Sequence, residues 1–434
     1  MKVAIVGSGI SGLAAAHRLR GHAHVTLFEA GDYFGGHTHT VDITLPTPQG
    51  QTRWGVDTGF LVFNERTYPQ LIALLAELKV ATAASDMSFS VQVPGARGQR
   101  PLEWSGSNLA TVFAQKRNLL SPRFWGMLRD LLRFNRLCTQ LAEQGRDAEM
   151  AEPLQSFLDR HAFGQPFRDW YFLPMLGCIW SCPTDQMLQF PVATMIRFCH
   201  NHGLLQVNDR PQWHTVVGGA RHYVEKIVAT LDDARLNTPV QRIERDAAGV
   251  TLHSARGAER FDHVVLAAHS DQALAMLAQP SDSEQAVLGA IRYQPNRAVL
   301  HTDTSVLPQR PAAWAAWNYE RADDRAQESS RVCLHYLLNK LQPLPFEQAI
   351  VESLNPVRPI AADKVLAEFD YSHPVFDLAA IAAQKRVPEL QGQQHTWYCG
   401  AWTGYGFHED GLKSGLAAAD ALLAQTQEAR KAAA

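Results

Sequence analysis

Gly7, Gly9 and Gly12 stand at the spacing G-x-G-x-x-G, a motif that binds the pyrophosphate of a dinucleotide. Gly7 permits the tight turn, Gly9 lets a pyrophosphate approach the main chain, and Gly12 lets the next helix pack close to the strand. Ser8, Ile10 and Ser11 complete the loop, whose N–H groups and positive helix end attract phosphate. Glu29 follows the glycines by about twenty residues, where a carboxylate meets a ribose diol. The chemistry is that of a nucleotide cofactor. The elements that must hold these residues surround them. Val3-Ala4-Ile5-Val6 reads as a buried parallel strand, 13–19 as a helix, and Val25-Thr26-Leu27-Phe28 as a second strand. Their placement between strand and helix separates these glycines from an ordinary turn.

A chain of 434 residues has room for two or three domains with substantial cores. Hydrophobic residues at 46% and charged residues at 19% fit a packed enzyme and argue against disorder. A net charge of −3 carries no global signature of nucleic-acid binding, so none is expected as a partner. A motif starting at Val3 leaves no room for a signal peptide, and no apolar run approaches the roughly 20 residues of a membrane span. The six cysteines are scattered and read as reduced thiols, so the cytoplasm is the expected location. Gly-x-Ser-x-Gly, Walker A and His-Glu-x-x-His are absent, which leaves hydrolase and NTPase readings without a motif. Nothing in the sequence sets the oligomeric state.

After Glu29 and Ala30, the pair Gly35-Gly36 lets the backbone pass close to a bound cofactor, an extension common in FAD enzymes. Trp54 to Phe63 reads as a strand interrupted by a small-residue turn. From about 64 to 210 helical periodicity dominates, over 68–78, 119–141, 154–161 and 187–202, with prolines as punctuation. Around Thr215 the pattern returns to α/β, with a helix over 223–231 and strands over 236–243, 250–253 and 262–268. Residues 290–390 alternate strand-like runs (297–303, 332–337) with helices and look like a substrate domain with an antiparallel sheet. Trp397 to Ala419 reads as a strand, a glycine-rich loop and a helix starting near Gly411, and the end after Leu423 as a fraying tail.

The opening motif with Glu29, the Gly35-Gly36 pair, Asp57-x-Gly59, the Val216–Ala268 region and Gly400–Gly415 together resemble the flavin-containing amine oxidase and phytoene desaturase superfamily. Spanning nearly the whole chain in order, they imply FAD as cofactor. The fold implied is α/β, a Rossmann-like FAD-binding domain built from 1–63, 211–290 and 391–425. An α+β substrate domain from 64–210 and 291–390 carries the helical insertion, and 426–434 is a tail. The resemblance places Ala30, His37, Thr38, Gly59 and Phe60 beside the cofactor, the Val240 backbone at the adenine, and Ala267-Ala268 in the nucleotide-binding sheet. It also assigns Gly400, Ala401, Asp410, Gly411 and Leu412 to the ribityl chain and isoalloxazine. Two positions depart from the family pattern. His37 stands where an arginine is usual, and Ala401 where an acid is usual, which leaves Glu409 or Asp410 to supply that contact.

The wording Gly404 to Gly415, with Asp57 to Arg66, looks most like a bacterial branch found beside cyclopropane-fatty-acid-synthase-like methyltransferases. That association implies an FAD-dependent oxidoreductase that takes a hydride from a fatty acyl chain of a lipid. An amine oxidase releasing hydrogen peroxide, a non-redox flavin isomerase and a flavin-bound accessory protein of a lipid methyltransferase stay open. Within the last motif Tyr405 and Phe407 could wall the flavin, and His408 or Glu409 could handle a proton; alternatively these residues pack the loop and cap the helix.

Three further constellations have two readings each. Cys178-x-x-x-Cys182 with Cys199, His200 and His202 could hold a metal, but the spacing is unusual and packing is the plainer account, so no metal is assigned. Arg117, Arg123, Arg129, Arg133 and Arg136 are interleaved with Leu119, Leu120, Phe124, Trp125, Leu128, Leu132 and Phe134; Arg129, Arg133 and Arg136 share one face with the apolar residues largely opposite, a basic amphipathic stretch. It suits either an anionic membrane surface at the inner face of the membrane or a solvated helix face. Asp209, Arg210 and Trp213 sit where the insertion rejoins the cofactor domain, a place for a ligand crevice or for a structural pair.

Overall fold

The computed structural model describes all residues except 96–99, 146–151, 182, 207–209, 323–330 and 434. Cys182 and Asp209 lie outside the described residues. Five parallel strands from three distant parts of the chain form the first sheet, in the order Asp233–Arg235, His24–Phe28, Lys2–Val6, His263–Leu266, Thr396–Tyr398. The central strand sends alternate side chains into two cores. Val3 and Ile5 pack with Leu13, Leu19, Tyr223 and Leu422 from the helices Ile10–Leu19, Arg221–Val228 and His408–Ala433. Ala4 and Val6 face the opposite way, against Ile243 and Leu252 of a three-stranded antiparallel sheet. Burial on both faces explains why this strand reads as an unbroken apolar run.

The second sheet has seven strands, in the order Val365–Val375, Arg292–His301, Val351–Leu354, Cys333–Leu337, Trp317–Glu320, Phe89–Val93, Leu102–Ser105. Every neighbouring pair is antiparallel except Phe89–Val93 beside Trp317–Glu320. Two of its strands therefore come from the segment read as a helical insertion, and Thr82–Ser85 from that segment pairs with Trp213–Val216. Helical periodicity could not reveal them, because they are short and their partners lie far along the chain, as in Phe89 opposite Trp317. The insertion's helices run from Pro69–Glu77 to Val192–Asn201, the longest being Pro122–Glu143. Leu119 and Leu120, read as part of that helix, form a separate 3-10 turn, because Ser121 caps the helix by accepting from Phe124 N and Pro122 opens its first turn.

One face of the seven-stranded sheet carries Phe89, Trp317, Tyr336, Glu352 and Leu354 toward the protein centre, as the cross-strand pairs Phe89–Trp317, Trp317–Tyr336 and Tyr336–Glu352 require. The last helix starts at His408, three residues before the position read from sequence. It runs to Ala433 through the stretch read as a tail, whose alanine, glutamine and glutamate are good helix formers.

Candidate active site

One continuous cavity of about 780 Å³ runs from the C-terminal ends of the parallel strands to the inner face of the seven-stranded sheet. Its first half is mostly main chain. The strand Lys2–Val6 turns at Gly7 into the helix Ile10–Leu19, whose unpaired N–H groups open on the cavity. A Cβ on Gly12 would lie 1.9 Å from the Gly7 carbonyl oxygen, so only glycine allows this strand and helix to meet. At Gly9 the same test finds nothing within 4 Å, which leaves free room against the loop. Glu29 accepts hydrogen bonds from Ser8 N at 3.0 Å, Ser8 Oγ at 2.5 Å and Gly31 N at 2.8 Å. Ser8 Oγ in turn accepts from Gly35 N at 3.0 Å, so the acid, the first loop and the glycine pair form one unit.

Asp57 joins the first and second cofactor segments. Its carboxylate accepts from Thr40 Oγ1 at 2.5 Å and from Ala220 N at 2.9 and 3.0 Å, where the helix Arg221–Val228 begins. Burial pushes its pKa up to about 7 against those hydrogen bonds and the Arg221 charge. The third segment is tied in through Thr38 Oγ1, 2.5 Å from Tyr223 Oη, which lies 2.7 Å from His408 Nε2. The His408 ring stacks on Phe60 at 3.8 Å, and burial lowers its pKa to about 3, so the imidazole is neutral. His37 is neutral too: burial and the nearby His373, His269, His408 and His39 lower its pKa well below the usual value. Its Nε2 is buried without a protein partner while the residue lines the cavity. An open backbone at Gly9, free helix N–H groups, the fixed Glu29 and an unpaired imidazole nitrogen fit FAD. Gly9 and Ser11 would hold the pyrophosphate, Glu29 the ribose, and His37, Gly59, Phe60 and Ala401 the flavin end.

The sequence-derived residues divide into two groups. The loop Gly7 to Ser11, Glu29, Ala30, the run Gly35 to Thr38, Gly59, Phe60, Val240, Ala267, Ala268, Gly400, Ala401, Tyr405 and His408 all line the cavity. Gly12, Glu409, Asp410, Gly411 and Leu412 stand behind that lining. Glu409, read as a proton-handling group, accepts from Gln70 N and Leu71 N, both at 3.0 Å, and so caps the helix Pro69–Glu77. Asp410 accepts from Tyr405 N at 3.1 Å and Phe407 N at 3.0 Å, holding the loop that carries both aromatics. Gly411 and Leu412 pack against Ile10 of the first helix. Trp213, Cys178 and His202 reach the lining, whereas Arg210 is exposed and donates to the Gln206 carbonyl. Cys199 is in the core.

The second half is built from side chains. Phe89, Trp317 and Leu354 come from the large sheet, Met175, Ile179 and Trp180 from the helix Leu173–Trp180, and Phe198 and Phe407 close the remaining side. Glu352 is the residue that sequence reasoning missed. It lies on the cavity wall, 2% exposed, and among the described residues no hydrogen bond or ion pair reaches its carboxyl. Burial, then the neighbouring Asp57, push its pKa well above the usual glutamate value, so it is a neutral acid. The available signal was one acid inside the apolar run Ala349-Ile350-Val351-Glu352-Ser353-Leu354.

A family model for flavin containing amine oxidoreductases matches residues 10–423. AofH of Mycobacterium tuberculosis, named for flavin-containing monoamine oxidase activity, is 27% identical over 282 residues, 61% of this chain and 56% of that protein. The chain thus spans only about half the length of that curated relative. Among solved structures, cyclohexylamine oxidase from Brevibacterium oxydans superposes with a TM-score of 0.67 at 18% identity, covering 98% of this chain and 99% of that one. A CLA-producing fatty acid isomerase from P. acnes gives 0.66 at 17% identity, covering 97% of each chain. Residues from 1–63, 211–290 and 391–425 converge on one cavity, in agreement with the family match, and the chain belongs to the flavin-containing amine oxidoreductase family, whose cofactor is FAD.

Proposed function

We propose that this FAD-dependent oxidoreductase removes a hydride from the carbon chain of an apolar substrate, a fatty acyl chain of a lipid, as a desaturase or dehydrogenase. The observation that carries the reading is the second half of the cavity, whose walls are Met87, Phe89, Met175, Ile179, Trp180, Phe198, Trp317 and Leu354. Bound FAD supplies the hydride acceptor. The chain's own residues do the rest. The aromatic and aliphatic walls hold an alkyl segment by burial and exclude water from the reacting carbon. Burial keeps the His408 ring neutral, and the Thr38–Tyr223–His408 contacts fix it on the cavity wall. A base of such low pKa is a poor proton acceptor, so His408 acts as a positioning residue.

Amine oxidation is the second reading, and Glu352 favours it. A carboxyl that ionises against an incoming ammonium group would anchor an amine in an otherwise apolar chamber. The fold does not choose, since the solved proteins that share it include a cyclohexylamine oxidase and a CLA-producing fatty acid isomerase. Anaerobic mixing decides. Loss of oxidised-flavin absorbance with acyl-lipid vesicles, and none with aromatic amines or polyamines, is the expected result. Reduction by amines alone overturns the lipid reading. Lipid profiling of cells with and without the protein should show acyl chains differing by two hydrogens in mass.

A further inference from the structure

The surface of the insertion carries an apolar and basic patch that the cavity does not use. The 3-10 turn Lys116–Leu120 holds Leu120 87% exposed and Leu119 47% exposed, and Trp125 beside it is 49% exposed. Trp125 is fixed there: its indole N–H donates to the Leu119 carbonyl at 2.9 Å, and its ring lies 5.4 Å from Phe113. On the helix Pro122–Glu143, Trp125, Arg129, Leu132 and Arg136 follow at i, i+4, i+7 and i+11, within an arc of about 60° at 100° per residue. All four are exposed, while Phe124, Met127, Phe134, Cys138 and Leu141 fill the core from the opposite side. Scattered exposed leucines need no account, but a tryptophan and three leucines gathered with arginines do.

The charge on this patch has one sign. From Trp104 to Arg129 the chain has no Asp or Glu but carries Lys116, Arg117, Arg123 and Arg129. The first acid after them, Asp130, is buried; it accepts from Gly164 N and lies 3.6 Å from the Arg129 guanidinium, which itself stays exposed. A second copy of the chain would set these cations against one another, so self-association through this face is disfavoured. An anionic bilayer meets both demands, taking leucine side chains below its headgroups and arginines at its phosphates, with tryptophan at the boundary. We propose that the Lys116–Leu120 turn and the exposed face of the Pro122–Glu143 helix dock this protein on the surface of an anionic phospholipid membrane. The docking is peripheral, since among the described residues no helix is long and apolar enough to cross a membrane. It goes beyond the substrate reading and does not depend on it.

The test is co-sedimentation of the flavin-loaded protein with vesicles of phosphatidylglycerol mixed with phosphatidylcholine, against phosphatidylcholine alone. Wild type should pellet with the anionic vesicles only, and binding should weaken steeply with salt. Leu119→Ser with Leu120→Ser should lower partitioning at least about tenfold, with flavin content and melting temperature unchanged. Arg123→Gln, Arg129→Gln and Arg136→Gln should each cost roughly fivefold at low salt. Brominated acyl chains should quench wild-type tryptophan fluorescence more than that of Trp125→Phe, which needs no polar substitution. Wild type that stays in the supernatant, binding insensitive to salt, leucine variants that pellet like wild type, or equal quenching overturns the proposal. So does a dimer in solution that the leucine changes dissolve, which would assign the patch to a second copy.

Discussion

The two halves of the cavity are built from different parts of the chain. In the nucleotide half the contacts are main chain and short side chains already bonded to one another, as in Ser8–Glu29–Gly31 and Thr38–Tyr223–His408. In the other half they are large side chains from elements remote in sequence, among them Glu352, whose carboxyl has no hydrogen-bond or ion-pair partner among the described residues. The first half tolerates almost no change in volume, because backbone meets backbone there. The second can change its walls while the sheets behind it stay in place, so specificity is adjustable where the cofactor site is not.

Gly12→Val tests the first half with the largest expected effect. Its Cβ would lie 1.9 Å from the Gly7 oxygen, so strand and helix must separate and the pyrophosphate loop with them. Overpacking of this kind costs about 1–3 kcal/mol or more, and the protein should purify without flavin absorbance and with a lowered melting temperature. Retention of flavin at the wild-type level would show that the loop has more freedom than its packing indicates.

Glu352→Gln tests the second half, and its signature is pH dependence. An acid whose folded pKa is raised holds its proton in the folded state after the unfolded chain has lost it. Its share of stability is present below about pH 4, the ordinary carboxylate range, and is lost as pH rises toward the folded value. While only the folded state is protonated, the loss is about 1.4 kcal/mol per pH unit. Asp57, raised to about 7, has the same sign, and the nearby tyrosines, Tyr336 and Tyr371, remain neutral throughout. Melting temperatures from about pH 5 to about pH 8 should therefore fall less steeply in Glu352→Gln than in wild type, with the Asp57 share retained. Equal slopes would mean that the Glu352 carboxyl is already ionised in the folded protein. Flavin content should not change, because the residue belongs to the other half.

Tyr223→Phe probes the seam between the first and third cofactor segments. It removes the hydroxyl that lies 2.5 Å from Thr38 Oγ1 and 2.7 Å from His408 Nε2. Two buried polar atoms then lose a partner, at about 1–3 kcal/mol, read by thermal melting. A shift in the flavin absorption maximum should accompany it if the His408 ring turns. A melting temperature equal to wild type would show that the seam is held elsewhere.

These differences also decide what the sequence can reveal. Gly7, Gly12 and Glu29 act within one strand–helix–strand unit of thirty residues, so spacing alone exposes their task. His37 is visible as a departure from the family pattern at a position already aligned. Phe89 and Trp317 are not visible, because their meeting depends on a register between strands more than two hundred residues apart. Glu352 shows up only as an acid in an apolar run, and which face of the sheet it takes is a tertiary fact. Glu409 misleads for a different reason. The sequence places it at the mouth of a helix thought to start near Gly411, whereas the helix starts at His408 and turns this side chain away from the cavity.

Replacing Glu409 yields the smallest effect and separates the two roles its position suggests. The carboxylate accepts from Gln70 N and Leu71 N, two of the free donors in the first turn of Pro69–Glu77, and Lys413 lies 3.5 Å away. No residue beside that helix supplies a side-chain cap of its own, since its N-cap position is Tyr68. Glu409→Ala should cost about 1 kcal/mol, the usual worth of an N-cap, and Glu409→Gln, which keeps one acceptor oxygen, less. Both variants should bind FAD and be reduced by substrate at the wild-type rate. A proton-transfer role predicts the reverse, a fall of about 10²-fold or more in flavin reduction with the melting temperature nearly unchanged. The carboxylate's place favours the first outcome, because it stands behind the cavity lining and is held there by two amides of a neighbouring helix.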